Sequence, residues 1–251
     1  MLIVNADDWG RSEVDTEAAR EAFLRRKVTS VTAMVFMADS SRAAALALEL
    51  GIPVGLHLNF TEHLSGALGS DSLRREHAAV ARYLMRGRIA QLVYNPLLAR
   101  AFARLFEAQL EEFRRLFGRE PSHFDGHQHM HLCANMVFSR TIPLGAKVRR
   151  SYSFAPGEKS VANRAYRALL DWWVGRRCLQ ADYFFDLSQR MAPRQFGRVC
   201  TAARVCSAEL MCHPARRAEA DFLGSPEYAS GVAGLRLASY CDLASRGSSD
   251  T

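Results

Sequence analysis

The sequence predicts an α/β protein built on a mainly parallel sheet. Short apolar or β-branched segments alternate with helical patterns, and several apolar segments end in acidic residues or histidines. Parallel strands need helical connections, and their carboxyl ends meet at one edge of the sheet, where such folds keep their chemistry. We therefore expect a (β/α) barrel-like fold, regular or irregular, which is either closed or incompletely closed at the C-terminus.

The size and composition are those of an ordinary globular protein. The chain has 251 residues, of which 49% are hydrophobic and 24% are charged. It contains no repeat, low-complexity tract or linker-like segment. A single domain over residues 1–251 is therefore the predicted organisation.

The N-terminus and the cysteines indicate a reducing compartment. Residues 1–8 lack a basic leader and reach two acids at once, and no run of eighteen apolar residues occurs. These features predict neither a signal peptide nor a transmembrane helix. The six cysteines form no CxxC pair, which in a chain of this length is typical of reduced thiols. We expect a cytoplasmic protein.

The net charge of +7 raises the question of nucleic-acid binding. Arginines occur in pairs along helical patterns with acids between them, and no nucleic-acid-binding motif accompanies them. Solvated helix faces, with some attraction for anionic substrates or surfaces, explain this distribution better. No nucleic-acid partner is predicted.

Candidate functional residues stand at the ends of predicted strands. The strand Leu2–Ala6 runs into Asp7 and Asp8, and Ser12 is positioned to cap the helix that follows. Further predicted strands are Ser30–Phe36, Val54–Asn59 with His57 and Asn59 on one face, Ala146–Tyr152, Ala181–Leu187 and Glu209–Pro214, which ends in His213. Predicted helices cover Ser41–Leu50, Leu97–Phe117 and Val161–Arg177, and Thr61–Arg74 is predicted to be a long active-site loop.

The segment Ser122–His131 carries a histidine or an aspartate at every second position. If it is a strand, the side chains of His123, Asp125, His127, His129 and His131 share one face. A strand rises about 3.3 Å per residue, so only one or two of them can reach one ion. Imidazole suits zinc, cobalt, nickel and iron, and a carboxylate extends the range to manganese and magnesium. The alternative is a solvated histidine-rich loop.

Five blocks of the sequence together resemble the YdjC-like carbohydrate deacetylases, which include chitooligosaccharide deacetylase. The blocks are residues 2–10 (LIVNADDWG), 28–30 (VTS), 55–59 (GLHLN), 118–131 and 211–214 (MCHP). The resemblance implies a barrel-like metallohydrolase that removes N-acetyl groups from amino sugars or from their oligomers and conjugates. It covers about residues 1–215, and the blocks follow the family's order.

The resemblance also implies roles for individual residues. Asp8, His57 and His127 would hold one divalent metal ion, with magnesium or zinc expected. Asp7 would be the general base and His213 the general acid. Because only one or two residues of the histidine row can reach the ion, others would bind substrate or support the ligands, and the candidates for these roles are Asn59, Asp125, His129 and His131. Amide hydrolysis needs an activated water and a stabilised oxyanion, which an open-sided metal provides.

Two alternatives to a deacetylase stay open. One is another barrel metallohydrolase, such as a phosphoesterase, and the other is a non-catalytic protein that binds a metal or a sugar. The C-terminal segment Gly234–Tyr240 fits either the family's penultimate helix or its last strand. In the first alignment the last strand is missing, and in the second an intervening helix is missing. Either would expose one edge of the barrel or require a partner to cover it, so a homodimer is one predicted assembly.

Overall fold

The computed structural model describes residues 1–66 and 70–243. The strands are β1 (Leu2–Trp9), β2 (Ser30–Ala33), β3 (Val54–Leu58), β4 (Phe124–Gly126), β5 (Tyr183–Asp186), β6 (Ala208–Cys212) and β7 (Leu237–Ala238). The α-helices are α1 (Glu13–Leu24), α2 (Ser40–Glu49), α3 (Asp71–Leu84), α4 (Arg88–Leu92), α5 (Ala99–Phe117), α6 (Ala134–Ser139), α7 (Val161–Gly175), α8 (Pro193–Val205), α9 (Arg217–Leu223) and α10 (Pro226–Val232). Short 3-10 helices cover Pro96–Leu98, His127–Leu132, Leu187–Gln189 and Tyr240–Asp242.

The chain divides into two compact units. The first unit contains residues 1–6, 18–30 and the chain from residue 144 onwards, and the second contains residues 7–17 and 31–143. The single domain over residues 1–251 stays a prediction. It includes residues 67–69 and 244–251, which lie outside the described part of the chain, and the predicted Thr61–Arg74 loop contains the first of these gaps.

The second unit carries strands β2, β3 and β4, which pair in parallel in that order. Helix α5 packs on β3 and on helices α2, α3 and α6. Its buried stripe contains Phe102, Leu105, Phe106, Leu110 and Phe113, spaced so that one helix face points inward. Gly118 ends α5 in the left-handed conformation, at φ 64°. This core holds the carboxyl ends of β3 and β4 in fixed positions.

The first unit carries β5, β6 and the first part of β1, which pair in parallel in that order. Strand β7 pairs in parallel with Leu2 and Ile3 of β1. Of the two alternatives for the C-terminal segment, the last strand is therefore the correct one. Tyr240 and Leu243, just beyond β7, are buried against Ile3.

The predicted α/β, mainly parallel, barrel-like fold is confirmed in an open form. Every registered strand pair is parallel. Among the described strands, β4 has only β3 as a partner and β5 has only β6, so the sheet does not close on itself.

Several predicted boundaries differ from the structure. β1 continues through Asp7 and Asp8 to Trp9, so the two acids lie within the strand. β2 ends at Ala33, short of the predicted end at Phe36, which has left-handed backbone at φ 60°. The predicted strand over residues 146–152 is wrong, because Lys147 and Val148 are isolated bridge residues and the rest of the segment is irregular. Helix α8 was not predicted.

The histidine-rich strand is also shorter than its alternation predicts. β4 ends at Gly126, and residues 127–132 turn into a 3-10 helix. Gln128 and His129 adopt left-handed backbone, with φ values of 53° and 60°. The expectation that all five alternate side chains share one face is therefore wrong beyond Asp125.

No helix in the described ranges is long and apolar enough to cross a membrane. All six cysteines are free thiols, as the absence of CxxC pairs predicts.

Candidate metal centre

Asp7 and Asp8 lie near the carboxyl end of β1 and make different contacts. Both side chains are buried, and Asp8 adopts left-handed backbone at φ 68°. Aspartate enters this region more readily than most residues, and such backbone geometry is concentrated at functional sites. Asp7 Oδ1 accepts a hydrogen bond from Thr32 Oγ1 at 3.2 Å. Asp8 instead lies against two imidazoles.

Asp8, His57 and His127 form one compact group in the second unit. Asp8 Oδ1 lies 3.4 Å from His57 Nε2 and 3.0 Å from His127 Nδ1. One potential ligand atom from each residue lies within 4.8 Å of the others. Ligands bound at about 2.0–2.2 Å from a common ion stand roughly 3–4 Å apart, so this spacing fits a divalent cation. The structure brings together the three residues that the sequence assigned to the metal.

Each of the two imidazoles has a carboxylate on its other ring nitrogen. His57 Nδ1 donates to Asp125 Oδ1 at 2.8 Å, and His127 Nε2 lies 3.0 Å from Glu62 Oε2. Metal-binding histidines commonly use their second nitrogen in this way, because the carboxylate fixes the ring orientation and raises its basicity. Asp125 and Glu62 therefore join the three candidate ligands as supporting side chains.

The electrostatics of the group are dominated by its carboxylates. Burial disfavours the charged imidazole of His57, but the charges of Asp125 and Asp7 and the hydrogen bonds to Asp125 and Asp8 raise the His57 pKa to about 10. Burial likewise disfavours ionised Asp8. Hydrogen bonds from His127 and His57, with the charges of both rings, nevertheless hold the Asp8 pKa far below its usual value. The site is thus a buried anionic pocket that favours a cation.

Glu62 and Arg11 belong to the site although sequence reasoning did not single them out. Arg11 Nε donates to Glu62 Oε1 at 2.9 Å, and Arg11 Nη1 lies 3.4 Å from Asp8 Oδ2. Both side chains are partly exposed and line a cleft of about 400 Å³ together with Ser12, Asp15, Met37, His63 and Ser65. The only sequence indication of Glu62 was its position in the predicted active-site loop.

Asn59 holds the backbone that carries Glu62. Its Oδ1 accepts from the backbone N–H groups of Thr61 and Glu62 at 3.1 and 2.8 Å, and its Nδ2 donates to the Glu62 carbonyl at 2.8 Å. The Asn59 backbone N–H donates to Gln109 Oε1 of α5 at 2.7 Å. The core helix thereby fixes the loop. A role of Asn59 in substrate binding stays a prediction.

The other histidines of the row are His123, His129 and His131. His123 is fully buried, and a Cβ atom at Gly55 would lie 2.5 Å from its ring. Gly55 is therefore required at this position of β3. His131 is buried against Gly126, and its ring centroid lies 6.2 Å from that of the half-buried His129. The predicted roles of His129 and His131 stay predictions.

His213 lies in the first unit, directly after β6. Its backbone N–H donates to Glu219 Oε2 at 2.7 Å, and its Nδ1 lies 3.7 Å from Glu219 Oε1. Glu219 is buried in α9 and also contacts Arg216 at 3.1 Å. The catalytic assignment of His213 stays a prediction.

A family model for the YdjC-like protein matches residues 1–237 of this chain. The chain belongs to the YdjC-like family. The predicted resemblance is confirmed, and the candidate ligands Asp8, His57 and His127 lie within the matched range.

Curated relatives of this YdjC-like chain have related names. A chitooligosaccharide deacetylase of Enterobacter sp. (strain 638) is 31% identical over 97% of this chain and 99% of its own length. A chitooligosaccharide deacetylase of Serratia marcescens is 37% identical over 53% of this chain and 51% of its own. A mouse carbohydrate deacetylase is 34% identical over 66% of this chain and 53% of its own.

A solved structure shares the fold. It is described as a putative cellobiose-phosphate cleavage protein of Enterococcus faecalis V583, and it matches 97% of this chain and 98% of its own with a TM-score of 0.69. The sequence identity is 18%, so the likeness concerns the fold alone.

Proposed function

We propose that this YdjC-like protein is a metal-dependent hydrolase that removes N-acetyl groups from amino sugars or from their oligomers and conjugates. The observation that carries the proposal is the group of Asp8, His57 and His127, with Asp7 beside it. The names of its relatives, which are carbohydrate and chitooligosaccharide deacetylases, support the substrate class.

The donor set suits one divalent ion. One carboxylate oxygen and two imidazole nitrogens leave coordination positions open, which is the arrangement of catalytic rather than structural zinc sites. Magnesium is the other candidate, although the two nitrogen ligands favour zinc. When bound, the ion would lower the pKa of a water and polarise the acetyl carbonyl.

Asp7 is the proposed general base. Its carboxylate is buried and is oriented by Thr32 Oγ1, while Asp8 and the histidines occupy the neighbouring positions. A second possible ligand group consists of Asp7, His57 and Asp125. In our assignment Asp7 accepts the proton of the attacking water, and Asp125 keeps His57 in the orientation that points Nε2 towards Asp8.

His213 is the proposed proton donor to the amine. An amide nitrogen is a poor leaving group until it is protonated, so an imidazolium that stays charged near neutral pH is suited to the step. His213 lies directly after β6, and its backbone N–H donates to Glu219 Oε2 at 2.7 Å.

The two alternatives predict different behaviour. A two-metal phosphoesterase needs two separate ligand sets and would hydrolyse phosphate esters without releasing acetate. A non-catalytic protein would bind metal or sugar without releasing acetate. The cytoplasmic location and the homodimer also stay predictions.

The experiment is acetate release from N-acetylglucosamine oligomers by protein that is stripped of metal and then reloaded with zinc or magnesium. We expect activity only after reloading. Asp7→Asn should retain the ion and lose roughly 10²–10⁴-fold in turnover, the usual contribution of a general base. Release that is unaffected by stripping, or phosphate ester hydrolysis without acetate release, would overturn the proposal.

A further inference from the structure

Four side chains of the candidate metal centre form a closed ring of charge contacts. Asp8 Oδ1 lies 3.0 Å from His127 Nδ1, and His127 Nε2 lies 3.0 Å from Glu62 Oε2. Arg11 closes the ring, because its Nε donates to Glu62 Oε1 at 2.9 Å and its Nη1 lies 3.4 Å from Asp8 Oδ2. Each carboxylate therefore directs one oxygen to His127 and the other to Arg11.

A tight turn after β1 brings Arg11 back to Asp8. Asp8 and Gly10 both have left-handed backbone, with φ values of 68° and 83°. The Arg11 backbone N–H donates to the Asp8 carbonyl oxygen at 3.1 Å. The Arg11 Nη1 also lies 4.0 Å from Oδ2 of Asp15, which belongs to the first turn of α1. The turn and the three carboxylates together fix the position of the guanidinium.

A guanidinium is suited to holding two carboxylates at once. It is planar, carries five N–H donors in a rigid fork and stays protonated in proteins. A lysine ammonium is a compact point charge on a flexible stem, so it fixes the orientation of its partners less well. The contacts of Arg11 therefore restrain the rotation of the Asp8 and Glu62 carboxylates.

This restraint affects divalent ions unequally. Zinc takes tetrahedral sites with nitrogen ligands, whereas magnesium and manganese prefer octahedral sites that are rich in oxygen. A carboxylate whose second oxygen is engaged by an arginine offers one oxygen to an ion. A positive charge beside the centre weakens the binding of every divalent ion, but the restriction on oxygen ligands acts mainly against magnesium and manganese.

We propose that Arg11 determines which divalent ion the centre prefers, because its guanidinium engages the second oxygen of both Asp8 and Glu62 and thereby favours zinc over magnesium and manganese. Arg11 is a positioning residue, since it acts through the two carboxylates. This role rests on the metal centre of the proposed function and adds a determinant of its selectivity.

The test is competition titration of the full chain with a chelator, carried out separately for zinc and manganese. In Arg11→Gln we expect the manganese affinity to rise relative to the zinc affinity by about 10- to 100-fold, the usual range for a side chain that orients a metal ligand. A uniform gain from removing one positive charge cancels in this ratio. Visible absorption of bound cobalt gives a second measurement, because it weakens as the coordination number rises, and we expect weaker absorption in Arg11→Gln.

Arg42→Gln is the matched control. The Arg42 side chain is 38% exposed, as that of Arg11 is, and it also contacts two carboxylates, those of Asp39 and Glu17. Neither of these is a candidate ligand, so this variant should keep the wild-type affinity ratio and cobalt spectrum. Arg11→Lys keeps the charge but loses the fork, and it should shift the ratio in the same direction as Arg11→Gln. Thermal unfolding checks that each variant is folded.

The role of Arg11 is overturned if Arg11→Gln has the same affinity ratio and cobalt spectrum as Arg42→Gln. It is also overturned if Arg11→Lys retains the wild-type ratio while Arg11→Gln does not, because the charge alone would then be responsible. A wild-type protein that binds neither ion would refute the metal centre itself. A wild-type protein that binds one ion, with no change in the Arg11 variants, would refute only the role of Arg11.

Discussion

Nδ1 of His57 lies 2.8 Å from Oδ1 of Asp125, and both side chains are buried. The two residues are register partners on the neighbouring strands β3 and β4. A parallel strand pair thus places a carboxylate behind the imidazole and leaves the opposite nitrogen, Nε2, directed at Asp8. The orientation of His57 is set by the sheet itself.

Asp125→Asn should weaken metal binding while leaving the three proposed ligands in place. An amide can still accept the His57 hydrogen bond, but it removes the negative charge that makes the imidazole more basic. Loss of such a supporting carboxylate typically costs about 10- to 100-fold in metal affinity. Competition titration with a chelator measures it, and an unchanged affinity would show that Asp125 does not support the site.

Glu62→Gln should have a smaller effect of the same kind. Glu62 faces His127 as Asp125 faces His57, but its side chain is 28% exposed while that of Asp125 is fully buried. Solvent screening reduces the influence of the exposed charge. In the same titration we expect a loss smaller than that of Asp125→Asn. A larger loss would mean that Glu62 is itself a ligand.

The sequence predicted the candidate site best where its residues lie on strands of the parallel sheet. Asp7, Asp8 and His57 lie on β1 and β3, and their position near strand ends made them candidates. The family resemblance then assigned Asp8 and His57 to the metal. His127 was assigned to the metal because it follows Asp125-Gly126 in the family pattern. The expectation that it lies on the same strand face as Asp125 was wrong. Gly126 ends the strand, and the left-handed residues Gln128 and His129 redirect the chain.

The residues that sequence reasoning missed depend on contacts between distant segments. Glu62 reaches His127 because Asn59 fixes the loop backbone and Gln109 of α5 fixes Asn59. No local periodicity encodes that chain of hydrogen bonds.

His213→Gln should impair hydrolysis selectively according to the leaving group. A proton donor matters for a poor amine leaving group and little for an activated acyl substrate, so the ratio of the two rates should fall by roughly 10²-fold or more. The donor must be protonated, and the wild-type rate should therefore decline at alkaline pH. Equal loss on both substrates, together with lower metal content, would move His213 into the metal site.

His77 should make the protein less stable in mild acid. Burial lowers the pKa of this α3 histidine to about 4, since the hydrogen bond to the Asn59 backbone offsets only part of the desolvation and His63 adds repulsion. Between about pH 6.5 and pH 4 the unfolded chain binds a proton that the folded chain does not. Stability should therefore fall as the pH falls through this window, by up to about 3 kcal/mol.

The His77→Gln variant isolates this contribution, because glutamine does not titrate. Urea unfolding at pH 7.5 and pH 4.5 should show a smaller loss of unfolding free energy in the variant than in the wild type. Equal losses in the two proteins would assign the acid sensitivity to other groups.

Metal content after dialysis tests most directly whether Asp8, His57 and His127 together hold one divalent ion. We expect about one ion per chain in the wild type and in His77→Gln, a buried histidine outside the group that serves as the matched control. Asp8→Ala, His57→Ala and His127→Ala should each lose most of the ion while remaining folded. If all three variants keep one tightly bound ion per chain, the assignment is contradicted.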